Sequence, residues 1–167
     1  MESKNLKFIV DHNVGKLVKW LRMMGYDTLF FTGADDWQMI INALNEDRII
    51  LTRDTQIMRR GVVVSGRLKA IFVQSEEPEQ QMRQVVDTLG LDCQSRLFTL
   101  CIECNMVLEE RTRQQVKERV PPYVFRTQRE YLECPLCHRI YWKGTHWQAM
   151  KKKLEKLRQG LTLELLL

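Results

Sequence analysis

Proline is scarce in this chain, 4 in 167 residues, and glycine contributes only 8. So little of either excludes a collagenous or low-complexity chain, and a content of 44% hydrophobic and 28% charged residues is that of a sequence with a buried core. Also missing is any apolar run near the roughly 18–20 residues that a helix needs to span a bilayer. The opening Met1-Glu2-Ser3-Lys4-Asn5-Leu6 leads straight into a short apolar stretch and lacks the layout of a signal peptide. A cytoplasmic protein with no membrane partner is the expectation. The length suits one ordinary domain, or a compact domain with a small module appended.

Acidic residues run short in one half only. Residues 1–95 carry 12 Lys/Arg and 13 Asp/Glu, whereas residues 96–158 carry 14 and 7. A basic second half suits an anionic partner such as nucleic acid. The plainer account is a solvated, Lys-rich helix near the end of the chain, and charge alone does not choose between the two.

The first half alternates between two periodicities. Lys7-Phe8-Ile9-Val10 is a short apolar run that stops at Asp11, and from Val14 apolar residues recur at 14, 17, 18 and 21 with helical spacing. Gly25 closes that helix. Thr28–Phe31 reads as a second strand, and Asp36 opens a second helix with Met39, Ile40, Ala43 and Leu44 as its buried stripe. A third strand, Arg48–Thr52, ends before Arg53-Asp54; a fourth is expected near Ala70–Val73, and a helix from Pro78 to about Leu89. Strands alternating with helices predict an α/β fold, a parallel sheet with helices on both faces, whose sites gather at the carboxyl edge of the strands.

Three aspartates fall at that edge: Asp11 after the first strand, Asp36 after the second and Asp54 after the third. Each also stands where Asp serves as a helix N-cap. Together they would repel unless a cation lay among them. Carboxylates are hard ligands suited to Mg²⁺ or Mn²⁺, and such a cluster can activate a water and offset the charge of a phosphodiester under attack. Asp35 can stand in for Asp36 if the helix starts earlier. The first helix places Lys16, Lys19 and Arg22 on one side, with Trp20 a turn after Lys16, as a cationic face for a phosphate backbone or an ordinary solvated surface. His12 and Asn13 either contact substrate or shape the turn.

Cys101-x2-Cys104 and Cys134-x2-Cys137 supply four thiolates at the spacing of a tetrahedral Zn²⁺ site. Two disulfides or a redox pair are the alternatives, without an oxidising setting to favour them. Four thiolates leave no open coordination position, so this zinc is expected to be structural. Cys93 is left over as a small thiol. Arg111, Arg113, Lys117, Arg119, Arg126, Arg129 and Arg139, interleaved with Tyr131, Tyr141 and Trp142, either face RNA or pack the small module. His146 in Lys143-Gly144-Thr145-His146 is placed to reach a phosphate from a turn.

Val10-Asp11-His12-Asn13-Val14-Gly15-Lys16-Leu17-Val18-Lys19-Trp20-Leu21-Arg22-Met23-Met24-Gly25-Tyr26-Asp27-Thr28 resembles the opening of the Mut-seven C-terminal ribonuclease family. Asp36, Ala43 and Ile50-Leu51-Thr52-Arg53-Asp54 continue the likeness, and the two cysteine pairs with Tyr141-Trp142-Lys143-Gly144-Thr145-His146 complete it, over about residues 7–150. The resemblance implies a PIN-like nuclease domain joined to a zinc ribbon and metal-dependent RNA hydrolysis, with Asp11, Asp36 and Asp54 as the acidic centre. Lys19 stands where the family has Arg. PIN domains present a fourth acid, for which Glu76 and Glu77 are the candidates.

The resulting expectation is a PIN-like domain over residues 1–95, a zinc ribbon over 96–150 and a helical tail over 151–167. The helix is expected from about Met150, with Leu154, Leu157 and Leu161 on one side, and Leu165–Leu167 packed on the body or on a second copy as a homo-oligomer contact. The expected activity is ribonuclease, with Lys16, Lys19, Arg22, Arg53 and His146 touching the RNA. The alternative is a non-catalytic RNA-binding or adaptor protein on a degenerate nuclease scaffold.

Overall fold

Strands β1 (Phe8–Asp11) and β3 (Ile49–Thr52) are buried along their whole length. A strand with no solvent side needs cover above and below, which helical crossovers give to a parallel sheet. The computed structural model describes the backbone of residues 5–164 and the side chains of residues 5–159. In it β2 (Thr28–Phe31) and β4 (Ala70–Phe72) flank the buried pair, giving four parallel strands in the order β2-β1-β3-β4.

Phe8, Val10, Leu51 and Ile71 share one apolar layer with α1 (Leu17–Met23), α5 (Pro78–Leu89) and α8 (Thr145–Glu164). Ile9 and Ile50 share the other with α2 (Asp36–Glu46) and α3 (Thr55–Met58), beside which α4 (Gly61–Val64) completes the turn to β4. Met39, Ile40 and Ala43 form the buried stripe of α2, whereas Leu44, a further 100° round the helix, is exposed. The α/β architecture read from the alternation is therefore the one observed.

The second half builds a three-stranded antiparallel sheet from β5 (Glu109–Arg111), β6 (Tyr131–Glu133) and β7 (Ile140–Tyr141). Two short helices, α6 (Arg113–Val116) and α7 (Pro122–Thr127), occupy the long gap between the cysteine pairs. The last helix starts at Thr145, ahead of the expected Met150, and buries Leu154 and Leu157 in the core shared with α1 and α5. Leu161 and Leu165–Leu167, on which a contact between copies was expected, lie outside the described side chains. Among the described residues no helix is long and apolar enough to cross a membrane.

The two sheets are joined by polar contacts around the start of β2, an edge strand whose outward backbone groups need partners. Arg22 Nε donates to the Thr28 carbonyl at 3.0 Å, and its Nη1 donates to the carbonyls of Ile102 and Glu103 at 3.0 and 2.9 Å. Asn105 Oδ1 accepts from the Thr28 N–H at 3.0 Å, and its Nδ2 donates to Asp27 at 2.7 Å. Gly25, at φ +88°, fits beneath: a Cβ there would stand 2.6 Å from the Arg96 carbonyl oxygen. Arg22→Ala leaves three carbonyls without this donor and is expected to lower stability by about 2–4 kcal/mol in urea unfolding. Arg22→Lys should recover less than half of the loss, because one ammonium does not reproduce the guanidinium fork.

Candidate active site and metal centre

From β1 the chain crosses to β2 on one side, and from β2 it crosses back to β3 on the other. Between β1 and β3, where the direction of winding reverses, an α/β sheet opens a crevice at its carboxyl edge. Asp11 ends β1 at this point and is 4% exposed. The register that sets Val10 beside Leu51 brings Thr52 level with Asp11, and the Thr52 hydroxyl donates to Asp11 Oδ2 at 2.8 Å. The same hydroxyl oxygen accepts from the Asp54 N–H at 2.9 Å. One side chain therefore ties the two acidic positions together. Asp11 Oδ1 accepts from the His12 N–H at 2.8 Å and lies 2.9 Å from His12 Nδ1.

Capping is shared out among the aspartates. Asp54 Oδ1 accepts from the Gln56 N–H and caps α3, while Asp35 accepts from the Trp37 N–H and caps α2. Asp36, one residue into α2, is relieved of that duty. Its carboxyl is held above the ordinary carboxylate value, first by burial and then by the negative fields of Asp54 and Asp11. Asp36 thus lies within the fields of the other two carboxyls, but the three do not form a tight nest. Among the described residues, the four cysteines are the group of metal-ligating side chains whose ligand atoms all lie within 4.8 Å of one another.

Two expected phosphate contacts are spent elsewhere. The Arg22 guanidinium is buried against the three carbonyls described above and does not face the crevice edge. Arg53 donates from Nη1 to the carbonyls of Val73 and Gln74, at 3.2 and 2.5 Å, because the end of β4 leaves those oxygens unpaired by the sheet. Its Nη2 lies 3.5 Å from Glu76, so one candidate fourth acid is turned toward it, and Glu77 stands at the start of α5. Lys19 pairs with Glu103 at 2.9 Å on an exposed surface. Lys16 and His146 are exposed and line, with Lys19, His12, Phe30 and Tyr141, a groove of about 890 Å³ between the two sheets. Thr52 was not among the expected site residues; its place two positions before Asp54, on a strand in register with β1, was the signal for it.

The cysteine pairs form two matching knuckles. In each, the residue after the second cysteine has a left-handed backbone, Asn105 at φ +64° and His138 at φ +61°, and its N–H donates to the carbonyl of the first cysteine at 2.9 Å. Asn and His tolerate that conformation better than most side chains. Cys101 Sγ and Cys137 Sγ are 3.8 Å apart. That is the edge of a tetrahedron with bonds of about 2.3 Å, so the donor set fits a tetrahedral thiolate-bound ion. Burial pushes the Cys101 thiol up, but the Tyr141 hydroxyl at 3.1 Å and two backbone N–H groups outweigh it and bring it to about 7. Cys104, hydrogen-bonded to Cys137, is pushed up to about 12. Cys93 lies apart in the main core, its thiol raised by burial to about 11.

Most of the ribbon's arginines serve the ribbon. Glu133, buried in β6, accepts from Arg119 and from Arg111, each at 2.7 Å, and these hold its carboxyl down at about 2 against the effect of burial. Arg113 lies over the Phe125 ring at 4.1 Å. Tyr131 and Tyr141 are core residues rather than stacking surfaces.

A parallel α/β sheet with aspartates at its switch-point edge, followed by a small antiparallel sheet beside four clustered cysteines, defines the class of this fold. Residues 6–154 match the family model described as the Mut7-C RNAse domain, and the chain belongs to that family. Comparison with curated proteins and with solved structures gave no match. Thr52→Val keeps the shape of the side chain and removes the hydroxyl shared by Asp11 and Asp54. It is expected to cost about 1–3 kcal/mol in urea unfolding, whereas Thr55→Val on the exposed start of α3 stays within about 0.5 kcal/mol.

Proposed function

We propose that this chain is a metal-dependent ribonuclease that hydrolyses RNA phosphodiester bonds at a divalent cation, Mg²⁺ or Mn²⁺, held by Asp11, Asp36 and Asp54. The observation that carries the reading is that Asp36, at the start of α2, lies in the fields of Asp54 and Asp11 at one edge of the sheet, in a chain of a ribonuclease family. Such a cation, when bound, polarises the phosphodiester and eases ionisation of a water. Asp11 is fixed by Thr52 and the His12 N–H, so it meets a ligand with its orientation already set. Asp54 keeps one oxygen on its cap and has the other to offer. Asp36, raised by burial and by the fields of Asp54 and Asp11, is relieved by a positive charge beside it. Lys16, His146 and Lys19, once Lys19 exchanges Glu103 for a phosphate, hold the RNA along the groove.

In the same reading the four cysteines hold a structural Zn²⁺, and the ribbon serves RNA binding by forming one wall of the groove. Metal analysis of the purified protein should find about one zinc per chain, absent from Cys134→Ser. The Cys134→Ser protein should also lose the cooperative unfolding of the ribbon, followed by near-UV circular dichroism.

Asp54→Asn retains an oxygen to cap α3, so its melting temperature should stay close to that of the parent. Mn²⁺-dependent cleavage of a labelled RNA should fall by at least about a hundredfold. Full cleavage by the folded variant would sink the assignment. RNA binding in EDTA, with no cutting by the parent protein in Mn²⁺, would favour the adaptor alternative.

A further inference from the structure

The groove does not stop at the ribbon. Trp20 lines it and also lines two smaller hollows, of about 390 and 440 Å³, formed by α1, α5 and α8. Lys153 lines both hollows, and Lys156 and Arg83 line the smaller of the two. His146, Met150 and Lys153 follow one another at helical i, i+4, i+7 spacing, so one stripe of α8 runs from the groove into this seam. From His146 to Lys156 the stripe measures about 15 Å, room for four or five stacked nucleotides at about 3.4 Å each.

Charge and chemistry along the stripe suit a nucleic-acid strand. Lys153 and Lys156 are exposed, and the Lys153 ammonium lies 5.8 Å from the centre of the Trp20 ring, a half-buried indole between groove and seam. A cation beside an aromatic face is the arrangement that holds a phosphate while a base stacks. Glu77 and Glu79 line the α5 side, which puts the phosphates on the α8 side. The core function of α8 is carried by Leu154 and Leu157, so the neighbouring Lys153 and Lys156, both exposed, are not part of that core.

We propose that the seam between α1, α5 and α8 is a second RNA-contact segment, in which Lys153 and Lys156 hold the stretch of strand beyond the groove. This rests on the ribonuclease reading for its substrate. It makes affinity depend on length: a short RNA occupies the groove alone, and a longer one reaches the seam.

The test is fluorescence anisotropy in EDTA, with labelled oligouridylates of about 5 and about 15 nucleotides. The parent is expected to bind the longer RNA at least about tenfold more tightly. Lys153→Glu with Lys156→Glu should abolish that preference, leave the shorter RNA within about twofold, and reduce the salt dependence for the longer one by at least about one unit of slope. Lys117→Glu with Lys152→Glu changes charge equally at exposed positions off the seam and should keep the preference. No length preference in the parent, a preserved preference in the seam variant, or equal loss in the control overturns the proposal. Cleavage in Mn²⁺ is scored separately. A length preference lost at the seam in a protein that cuts no RNA would leave the RNA track standing and end the ribonuclease reading.

Discussion

A carboxylate buried at the end of a parallel strand is costly unless its oxygens are met by donors, and the acidic half of this protein is arranged around meeting that cost for Asp11. The Thr52 hydroxyl and the His12 N–H supply the donors. Thr52 can do so only because β3 pairs with β1 in a register that sets the two residues level. Asp54 follows two residues later, hydrogen-bonded through its own N–H to the same hydroxyl, so the first acid helps to position another. Asp36 arrives from the opposite crossover, on a helix whose cap is the neighbouring Asp35. The acidic edge of the sheet thus follows from strand order and one hydroxyl.

The ribbon depends on the sheet domain as much as on its own cysteines. Its first knuckle holds Asn105 in a left-handed conformation, and from there the Asn105 amide reaches the backbone of β2 and the side chain of Asp27. Arg22 grips the same knuckle through the carbonyls of Ile102 and Glu103. A change in this cysteine knuckle is therefore felt at α1, the helix that carries Lys19 and, at its N-cap, Lys16 beside the groove. Phe98 marks the joint on the other side: a bulky residue at φ +59°, it packs against both Tyr141 of the ribbon and Trp147 of α8.

Those parts of the fold that rest on short-range pattern were legible in the sequence. Apolar strands alternating with helical stripes led to the parallel sheet, and the cysteine spacing led to the knuckles. Asp11, Asp36 and Asp54 could be placed at one edge because topology, rather than side-chain detail, decides where strand ends meet. The fates of Arg22 and Arg53 were not legible. A cation at helical spacing reads the same whether it faces a phosphate or carbonyls some 80 residues away. The start of α8 was missed for a related reason: Gly144 precedes it and has no side chain to announce a cap.

The basic excess of the second half resolves into two different uses of positive charge. Arg111 and Arg119 surround Glu133, and Arg113 is folded onto Phe125, each guanidinium giving directional hydrogen bonds or a stacked contact inside the protein. Arg22 and Arg53 do the same in the first half, on backbone carbonyls. What remains toward solvent beside the groove and the seam is largely lysine: Lys16 at the N-cap of α1, Lys19 on α1, and Lys153 and Lys156 on α8. An ammonium on a flexible stem holds a phosphate as a point charge without fixing its direction, which suits a strand that must move along a surface. Net charge therefore overstates the surface available to an anion, and the lysines, rather than the more numerous arginines of the ribbon, mark where a phosphate backbone would run.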